Sequence, residues 1–180
     1  MKWFLVILFL VIHTAGFPQD NPSSLARQLT ASCKNEREKV TAIFRWITEN
    51  ISYRIKPVIK KQEIVIRSLE KYSGEASMPD DGPLKPLNER VAETVLQKRE
   101  AICEGYARLF TTLCDYSGIC SAIIPGFAKN KENIPAKRFG VNHYWNAVMI
   151  DGVWHLLDVT WASGYISLNG NEFIREYDNS

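Results

Sequence analysis

The sequence predicts a single α+β domain. Apolar residues first recur at helical spacing in three segments, 36–51, 88–97 and 103–117. Two apolar strands follow at 141–150 and 153–159, and Asp151-Gly152 between them favours a tight type I′ hairpin turn. A chain of 180 residues is long enough for one hydrophobic core. We therefore expect helices packed on an antiparallel sheet.

The charge of the chain is close to neutral. The net charge is +2, with 23% charged and 46% apolar residues, and no basic stripe dominates. These values argue against disorder and against nucleic-acid binding. A field this weak would not steer a partner over long distance.

The first sixteen residues have the pattern of a signal peptide. Lys2 is a short positive region, and Trp3 to Ile12 is an unbroken apolar run of ten residues. Thr14-Ala15-Gly16 supplies the small residues that precede a cut after Gly16. Ten apolar residues are too few to span a bilayer. We expect an exported protein, periplasmic or extracellular, without a stable membrane span after cleavage.

The remaining chain divides into a short arm and one domain. Residues 17–34 are polar and predict an exposed N-terminal arm with at most one short helix. The domain then covers 35–180, where Asn35 and Glu38 form a capping box at the start of helix 36–51. Four prolines punctuate 57–87, a long connection that could wall a cleft. The end carries no terminal cap or polar tail, which would fit a chain truncated at its C-terminus.

Two further helices and a strand lead up to the hairpin. The helix at 88–97 is followed by one at 103–117, which Gly118 ends. A strand then runs from 119 to 128. The apolar stripe of the later helix is Tyr106, Leu109, Phe110, Leu113 and Cys114. A basic loop at 129–140 and a last strand at 172–177 complete the chain.

The four cysteines do not form a metal motif. They are Cys33, Cys103, Cys114 and Cys120, without a C-x-x-C pair, so we expect no metal site. A disulfide between Cys114 and Cys120 and three buried free thiols besides Cys103 both fit an exported chain. Three buried thiols is the favoured interpretation.

The hairpin turn determines which histidine lies beside a carboxylate. A two-residue turn places Ile150 opposite Val153, and counting back makes His143 and Asp158 diagonal neighbours on one face. His155 falls on the opposite face. A carboxylate beside an imidazole selects its tautomer and stabilises the imidazolium. Alone, His143 would more often be a satisfied polar group of a strand.

Cys103 begins the third helix, where unpaired N–H groups favour a thiolate. Gly105 in the first turn would let a reacting carbonyl approach the backbone, and the Cys103 N–H could stabilise an oxyanion. A lone cysteine at a helix start is more often a small buried residue. A metal site made of Cys103, His143 and Asp158 is the least favoured alternative.

Three ordered segments resemble the transglutaminase-like superfamily, closest to its kyphoscoliosis-peptidase-like branch. They lie within 88–165 and read Ala101-Ile-Cys103-Glu-Gly-Tyr-Ala107, Asn142-His143-Tyr-Trp145-Asn-Ala147 and Trp154-His-Leu-Leu-Asp158-Val-Thr160-Trp161. The resemblance implies a papain-like core, with the cysteine helix packed on an antiparallel sheet. It implies Cys103 as nucleophile, His143 as base and Asp158 as its orienting partner. Substrate-binding or wall positions would be Gly105, Tyr106, Trp145 and Trp161.

The implied chemistry is acyl transfer through a thioester. Water as acceptor would make the protein a peptidase or amidase, and an amine acceptor a transglutaminase or transpeptidase. We expect a protein or peptide substrate, and the expected compartment suggests cell-wall peptides. No acidic cluster indicates a calcium site, so no cofactor is expected. The alternative is a catalytically inactive binding or scaffold module on the same fold.

Overall fold

The protein is described by a computed structural model that covers residues 21–55, 85–129, 140–167 and 169–176. Several sequence-based expectations fall outside these residues. They are the signal peptide at 1–16, nearly all of the 57–87 connection, most of the basic loop at 129–140 and the last residues of the chain.

The described residues form helices at the start and mostly strands at the end, as the sequence predicts. The helices are α1 (Pro22–Thr30), α2 (Glu36–Asn50), α3 (Leu87–Lys98) and α4 (Cys103–Tyr116). The strands are β1 (Ser52–Tyr53), β2 (Glu100–Ala101), β3 (Ser121–Gly126), β4 (His143–Ile150), β5 (Val153–Leu157), β6 (Gly164–Ile166) and β7 (Phe173–Arg175). A 3₁₀ turn, Trp161–Ser163, lies between β5 and β6.

Helix α2 begins at the predicted capping box. The Asn35 side chain accepts a hydrogen bond from the Glu38 N–H at 2.9 Å. The Glu38 carboxylate in turn accepts from the backbone N–H of Lys34 at 2.7 Å, one residue earlier than in the usual motif. These bonds satisfy amide groups that a helix start otherwise leaves unpaired.

The expectation of an exposed arm at 17–34 is wrong where the structure describes it. Helix α1 occupies 22–30, and Leu25 and Ala26 are 1% and 0% exposed in the core. The Asn21 side chain accepts from the Ser23 N–H at 2.9 Å, and Pro22 follows it at the first helical position. The short helix that the sequence allowed in this arm is therefore present, and an N-cap asparagine followed by proline is its start signal. Its burial in the core is what the polar sequence did not indicate.

Helix α4 is the central element of the fold. It contacts α1, α2 and α3 on one side and β3 and β4 on the other. All five residues of its predicted apolar stripe are 0% exposed. Gly118, with φ +71°, ends the helix. Asn146 of β4 donates from its amide to Ala107 O and to Thr111 Oγ1 of the helix, each at 3.0 Å. These bonds hold α4 against the sheet.

The three-stranded sheet has the order β3-β4-β5 and is antiparallel throughout. Asp151 and Gly152 have φ +52° and +78°, as the predicted type I′ turn requires. The register is also as predicted from Ile150 opposite Val153 down to Asn146 opposite Leu157. The strand then ends before Asp158, earlier than predicted, because the chain turns there into the 3₁₀ segment.

Two small strand pairs complete the description. Strand β1, which follows α2, pairs in parallel with β2, which precedes Cys103. Strands β6 and β7 form an antiparallel pair, and β7 lies within the strand predicted at 172–177. Arg175 of β7 donates to the carbonyls of Thr48 and Ile51 and to Ser52 Oγ, which fastens this pair to the end of α2.

Candidate active site

Cys103 is the first residue of α4 and is 9% exposed. Arg99 ends α3 in the left-handed conformation, with φ +55°, and turns the chain into β2. Ile102 is extended and offers no side-chain cap, so the first amides of α4 have no helical acceptor. Their partial positive charge lies at the end of the helix that bears the thiol.

His143 and Asp158 form the ion pair that the hairpin register predicts. The distance from His143 Nε2 to Asp158 Oδ2 is 2.6 Å, and His143 is 7% exposed. The other carboxylate oxygen, Oδ1, accepts from the backbone N–H of Trp161 at 3.0 Å. Asp158 therefore caps the 3₁₀ turn with one oxygen and holds the imidazole with the other.

The histidine also meets the thiol of Cys103. Burial alone would lower the pKa of His143, but hydrogen bonds to Asp158 and to Cys103, together with their charges, raise it to about 9. Nε2 faces Asp158, so Nδ1 is the ring nitrogen that this bond leaves available. The structure thus brings Cys103, His143 and Asp158 together, and His143 is an imidazolium at neutral pH.

Two indole rings lie beside the histidine. The Trp161 ring stacks on His143 with centroids 5.0 Å apart, and the Trp145 ring lies at 5.9 Å with a tilt of 38°. Trp145 needs Gly126 on the neighbouring strand, because a Cβ there would lie 2.2 Å from the indole. Both tryptophans therefore lie where the sequence placed them, as neighbours of the histidine.

Gly105 and Tyr106 were expected to bind substrate or to line the site, but both pack inside the protein. A Cβ on Gly105 would lie 2.8 Å from the Ala101 Cβ and 3.2 Å from Val95 Cγ2, so the glycine is required by helix packing. Tyr106 is 0% exposed, and its hydroxyl donates to Ile51 O at 2.8 Å. Its ring stacks against the ring of Tyr53, with centroids 6.5 Å apart. Tyr106 therefore supports Tyr53, which lines a cleft beside His143.

A cleft of about 340 Å³ opens on one side of the His143 ring. Its lining includes Tyr53, Thr160, Trp161, Tyr165 and Phe173. Across Trp161 lies a shallower groove of about 460 Å³, lined by Phe127, Trp145, Leu156 and Asp158 among others. Sequence reasoning missed Tyr53, Tyr165 and Phe173, because they belong to small strands that no motif links to Cys103.

None of the four cysteines forms a disulfide. Cys114 is buried in the core, and this burial raises the pKa of its thiol to about 12. Cys120 is exposed and Cys33 is half-buried, so the expectation of three buried thiols is wrong for these two residues. Cys120 lies beyond the end of α4, where the chain passes over the surface into β3.

The described residues contain no group of three or more histidine, cysteine or acidic residues that could hold a metal ion. No described helix combines the length and the apolar character needed to cross a membrane.

Comparisons with known proteins identify the family and the fold of the chain. Residues 23–159 match the family model of the transglutaminase-like superfamily. The chain is 27% identical over 158 residues to kyphoscoliosis peptidase of Mus musculus, and this match covers 87% of the chain and 20% of that protein. Hillarin of Drosophila melanogaster is 26% identical over 160 residues, covering 87% of the chain and 16% of hillarin. The chain thus spans about a fifth or less of the length of these relatives.

A solved structure supports the same fold. The periplasmic domain of TgpA from Pseudomonas aeruginosa superimposes with a TM-score of 0.50 at 17% identity. The superposition covers 78% of the chain and 42% of that domain. The helices, the antiparallel sheet and the family match over most of the chain lead to one conclusion: the chain belongs to the transglutaminase-like superfamily, on a papain-like transglutaminase core.

Proposed function

We propose that the protein is a cysteine enzyme that cleaves or transfers acyl groups at peptide or amide bonds. One observation carries the proposal: the imidazole of His143 is held by Asp158 through Nε2, and it lies close enough to Cys103 for that residue to help raise its pKa. A thiol, an imidazole and a carboxylate in series form the arrangement that activates a nucleophile.

The proposed reaction begins with Cys103 as thiolate and His143 as imidazolium. The sulfur attacks the amide carbonyl, and the N–H at the start of α4 stabilises the resulting oxyanion. As the C–N bond breaks, His143 gives its proton to the leaving amine, and a thioester remains. His143 then takes a proton from water, which attacks the thioester and releases the acid and the free thiol.

We propose water as the principal acceptor and a protein or peptide as the substrate. The name of the mouse relative, kyphoscoliosis peptidase, supports hydrolysis. The half-open cleft beside His143 supports access for water. An amine in place of water would turn the same thioester into a cross-linking or transpeptidation product.

Selective labelling of cysteines tests the nucleophile. With iodoacetamide near neutral pH, Cys103 should react well ahead of Cys33, Cys114 and Cys120, and His143→Ala should slow it by about ten-fold or more. Cys120 is the internal control, since it is exposed but has no histidine partner among the described residues. Equal, slow labelling of all four would point instead to an inactive scaffold module.

A product assay then tests the reaction. Glutamine-containing peptides would be incubated with and without a primary amine, using Cys103→Ala as the blank. Peptide fragments indicate a peptidase, ammonia alone an amidase, and amine incorporation a transglutaminase. Transfer to the amine also releases ammonia or a peptide fragment, so hydrolysis is identified by the new carboxylate. Incorporation of the amine without a new carboxylate would replace hydrolysis by transfer.

We also propose that the enzyme acts outside the cytoplasm, on the basis of the N-terminal pattern of Lys2 and the apolar run that follows. In that compartment, exported proteins and cell-wall peptides are the amide substrates within reach. Hydrolysis of purified cell-wall peptides by the wild-type chain, but not by Cys103→Ala, would support cell-wall peptides as the substrate.

A further inference from the structure

The cleft on the Tyr53 side of His143 is lined mainly by aromatic rings. Four aromatic side chains line it, Tyr53, Trp161, Tyr165 and Phe173, together with the aliphatic Ile166. The polar side chains of the lining are Asn142, His143 and Thr160. Its volume of about 340 Å³ is at the small end of ligand clefts. It therefore suits one large side chain and its backbone.

This cleft also adjoins the nucleophile. Tyr53 lies opposite Ala101 in the parallel β1–β2 pair, and Ala101 precedes Cys103 by two residues. The Tyr53 ring is held between Tyr106, at 6.5 Å, and Phe173, at 6.4 Å. A group bonded to the sulfur of Cys103 would therefore enter the cleft against a wall that is already fixed in place.

We propose that this cleft is the acyl-side specificity subsite, for a large aromatic side chain next to the attacked carbonyl. This inference rests on the proposed function of Cys103. It assigns the acyl side because the acyl group, unlike the leaving amine, stays bonded to the sulfur beside Tyr53.

The walls also exclude competing side chains. A charged side chain would lose its hydration against the aromatic rings, because His143 and Asn142 of the lining already bond Asp158 and Ala128. An alanine would leave most of the aromatic surface uncovered. Apolar pockets of this kind discriminate by roughly 10- to 200-fold for small differences in size. The expected order is therefore phenylalanine or tyrosine, then leucine, then alanine, with aspartate and lysine last.

Peptidyl ketones that alkylate cysteine provide the test without needing turnover. A panel would differ only in the residue before the reactive carbonyl: phenylalanine, tyrosine, leucine, alanine, aspartate or lysine. The measurement is the second-order rate of Cys103 labelling, with iodoacetamide as a probe too small to fill the cleft. The aromatic probes should react at least about ten-fold faster than the alanine and charged probes.

Tyr165→Ala should weaken the preference for aromatic probes, since Tyr165 is 51% exposed and contributes to the wall rather than to the core. Tyr116→Ala, an exposed tyrosine at the end of α4, is its control. Fast iodoacetamide labelling without any preference among the ketones would overturn the subsite and leave the nucleophile intact. A Cys103 slow towards every probe would overturn both proposals.

Discussion

Asp158 is the residue on which the geometry of the site depends most directly. One of its oxygens accepts from His143 Nε2 at 2.6 Å, and the other accepts from the Trp161 N–H at 3.0 Å. A carboxylate with both oxygens engaged cannot rotate without breaking a bond. The D-x-T-W segment is therefore a local device: the aspartate caps a turn, and the turn holds the aspartate against the imidazole.

We expect the titration of His143 to depend on Asp158. The pKa of His143 in the folded protein is raised to about 9, so the imidazolium is fully present below about pH 6.5 and is lost as the pH rises through 9. Asp158→Asn removes the charge that favours the imidazolium, so the midpoint should move to lower pH. Proton-detected NMR titration of the imidazole resonances measures this.

We expect the activity to fall with rising pH together with the imidazolium form of His143. Activity should fall as the pH rises through 9, because His143 then has no proton for the leaving amine. The resonances of His155, on the other face of the sheet, serve as the reference and should be unaffected by the substitution. A midpoint identical in the wild type and Asp158→Asn would contradict the ion pair.

Gly126 illustrates a residue whose role is visible only in packing. The Trp145 indole crosses its Cα so closely that a Cβ would lie 2.2 Å from the ring. Gly126→Ala should therefore displace the indole from His143, destabilise the fold by about 1–3 kcal/mol and slow Cys103 labelling. Urea unfolding and iodoacetamide kinetics measure the two effects.

Gly140→Ala is the matched control for this substitution. A Cβ at Gly140 meets nothing within 4 Å among the described residues. It should leave both the stability and the labelling rate unchanged. If the two alanine variants behaved alike, the contact between Gly126 and the indole would have no bearing on the site.

At the scale of elements, the end of α2 is where the C-terminal strand pair is attached. The last carbonyls of a helix have no intrahelical donor and carry partial negative charge. The guanidinium of Arg175 supplies both the donors and the opposite charge, through its bonds to Thr48 O and Ile51 O. Because β6 and β7 line the aromatic cleft, this cap also positions a wall of the site.

Arg175→Ala should loosen the strand pair without unfolding the domain. Charge-assisted hydrogen bonds contribute about 1.5–3 kcal/mol, and the exposure of Arg175 reduces this to about 1 kcal/mol of unfolding free energy. Hydrogen exchange should accelerate in β6 and β7 and stay unchanged in α4. Arg45→Ala, an exposed arginine in the middle of α2, is the control. Equal exchange in both variants would contradict the anchoring role.

At the scale of the whole molecule, Tyr106 joins parts that are distant in the sequence. Its hydroxyl donates to Ile51 O at 2.8 Å, its ring stacks against Tyr53 of β1, and burial raises its pKa well above the usual range. The nucleophile helix, the end of α2 and β1 therefore meet at one side chain. The cleft forms where these three parts converge.

The expected route of the protein out of the cytoplasm is tested on the whole chain. Mass spectrometry of the exported protein should show a mature N-terminus at Phe17, after cleavage behind Gly16. Replacing Leu8 and Leu10 by aspartate interrupts the apolar run and should retain the full-length chain inside the cell. An exported wild-type chain that still carries residues 1–16 would contradict cleavage.

Local chemistry accounts for what the sequence by itself determined. A capping box starts α2, and the Asp151-Gly152 turn sets the hairpin register. Since a two-residue turn and the alternation of side chains leave one register, they also placed His143 beside Asp158 and His155 on the other face. The family motifs then implied that Cys103 belongs with them.

Only the tertiary structure decided what surrounds this pair. The contact between Cys103 and His143 joins residues forty positions apart, and the cleft joins Tyr53 to Phe173 across most of the chain. No periodicity encodes such contacts, because they arise where separate elements pack. The same reason explains why α1, polar in sequence, is part of the core, and why Tyr106 and Gly105 serve packing rather than substrate.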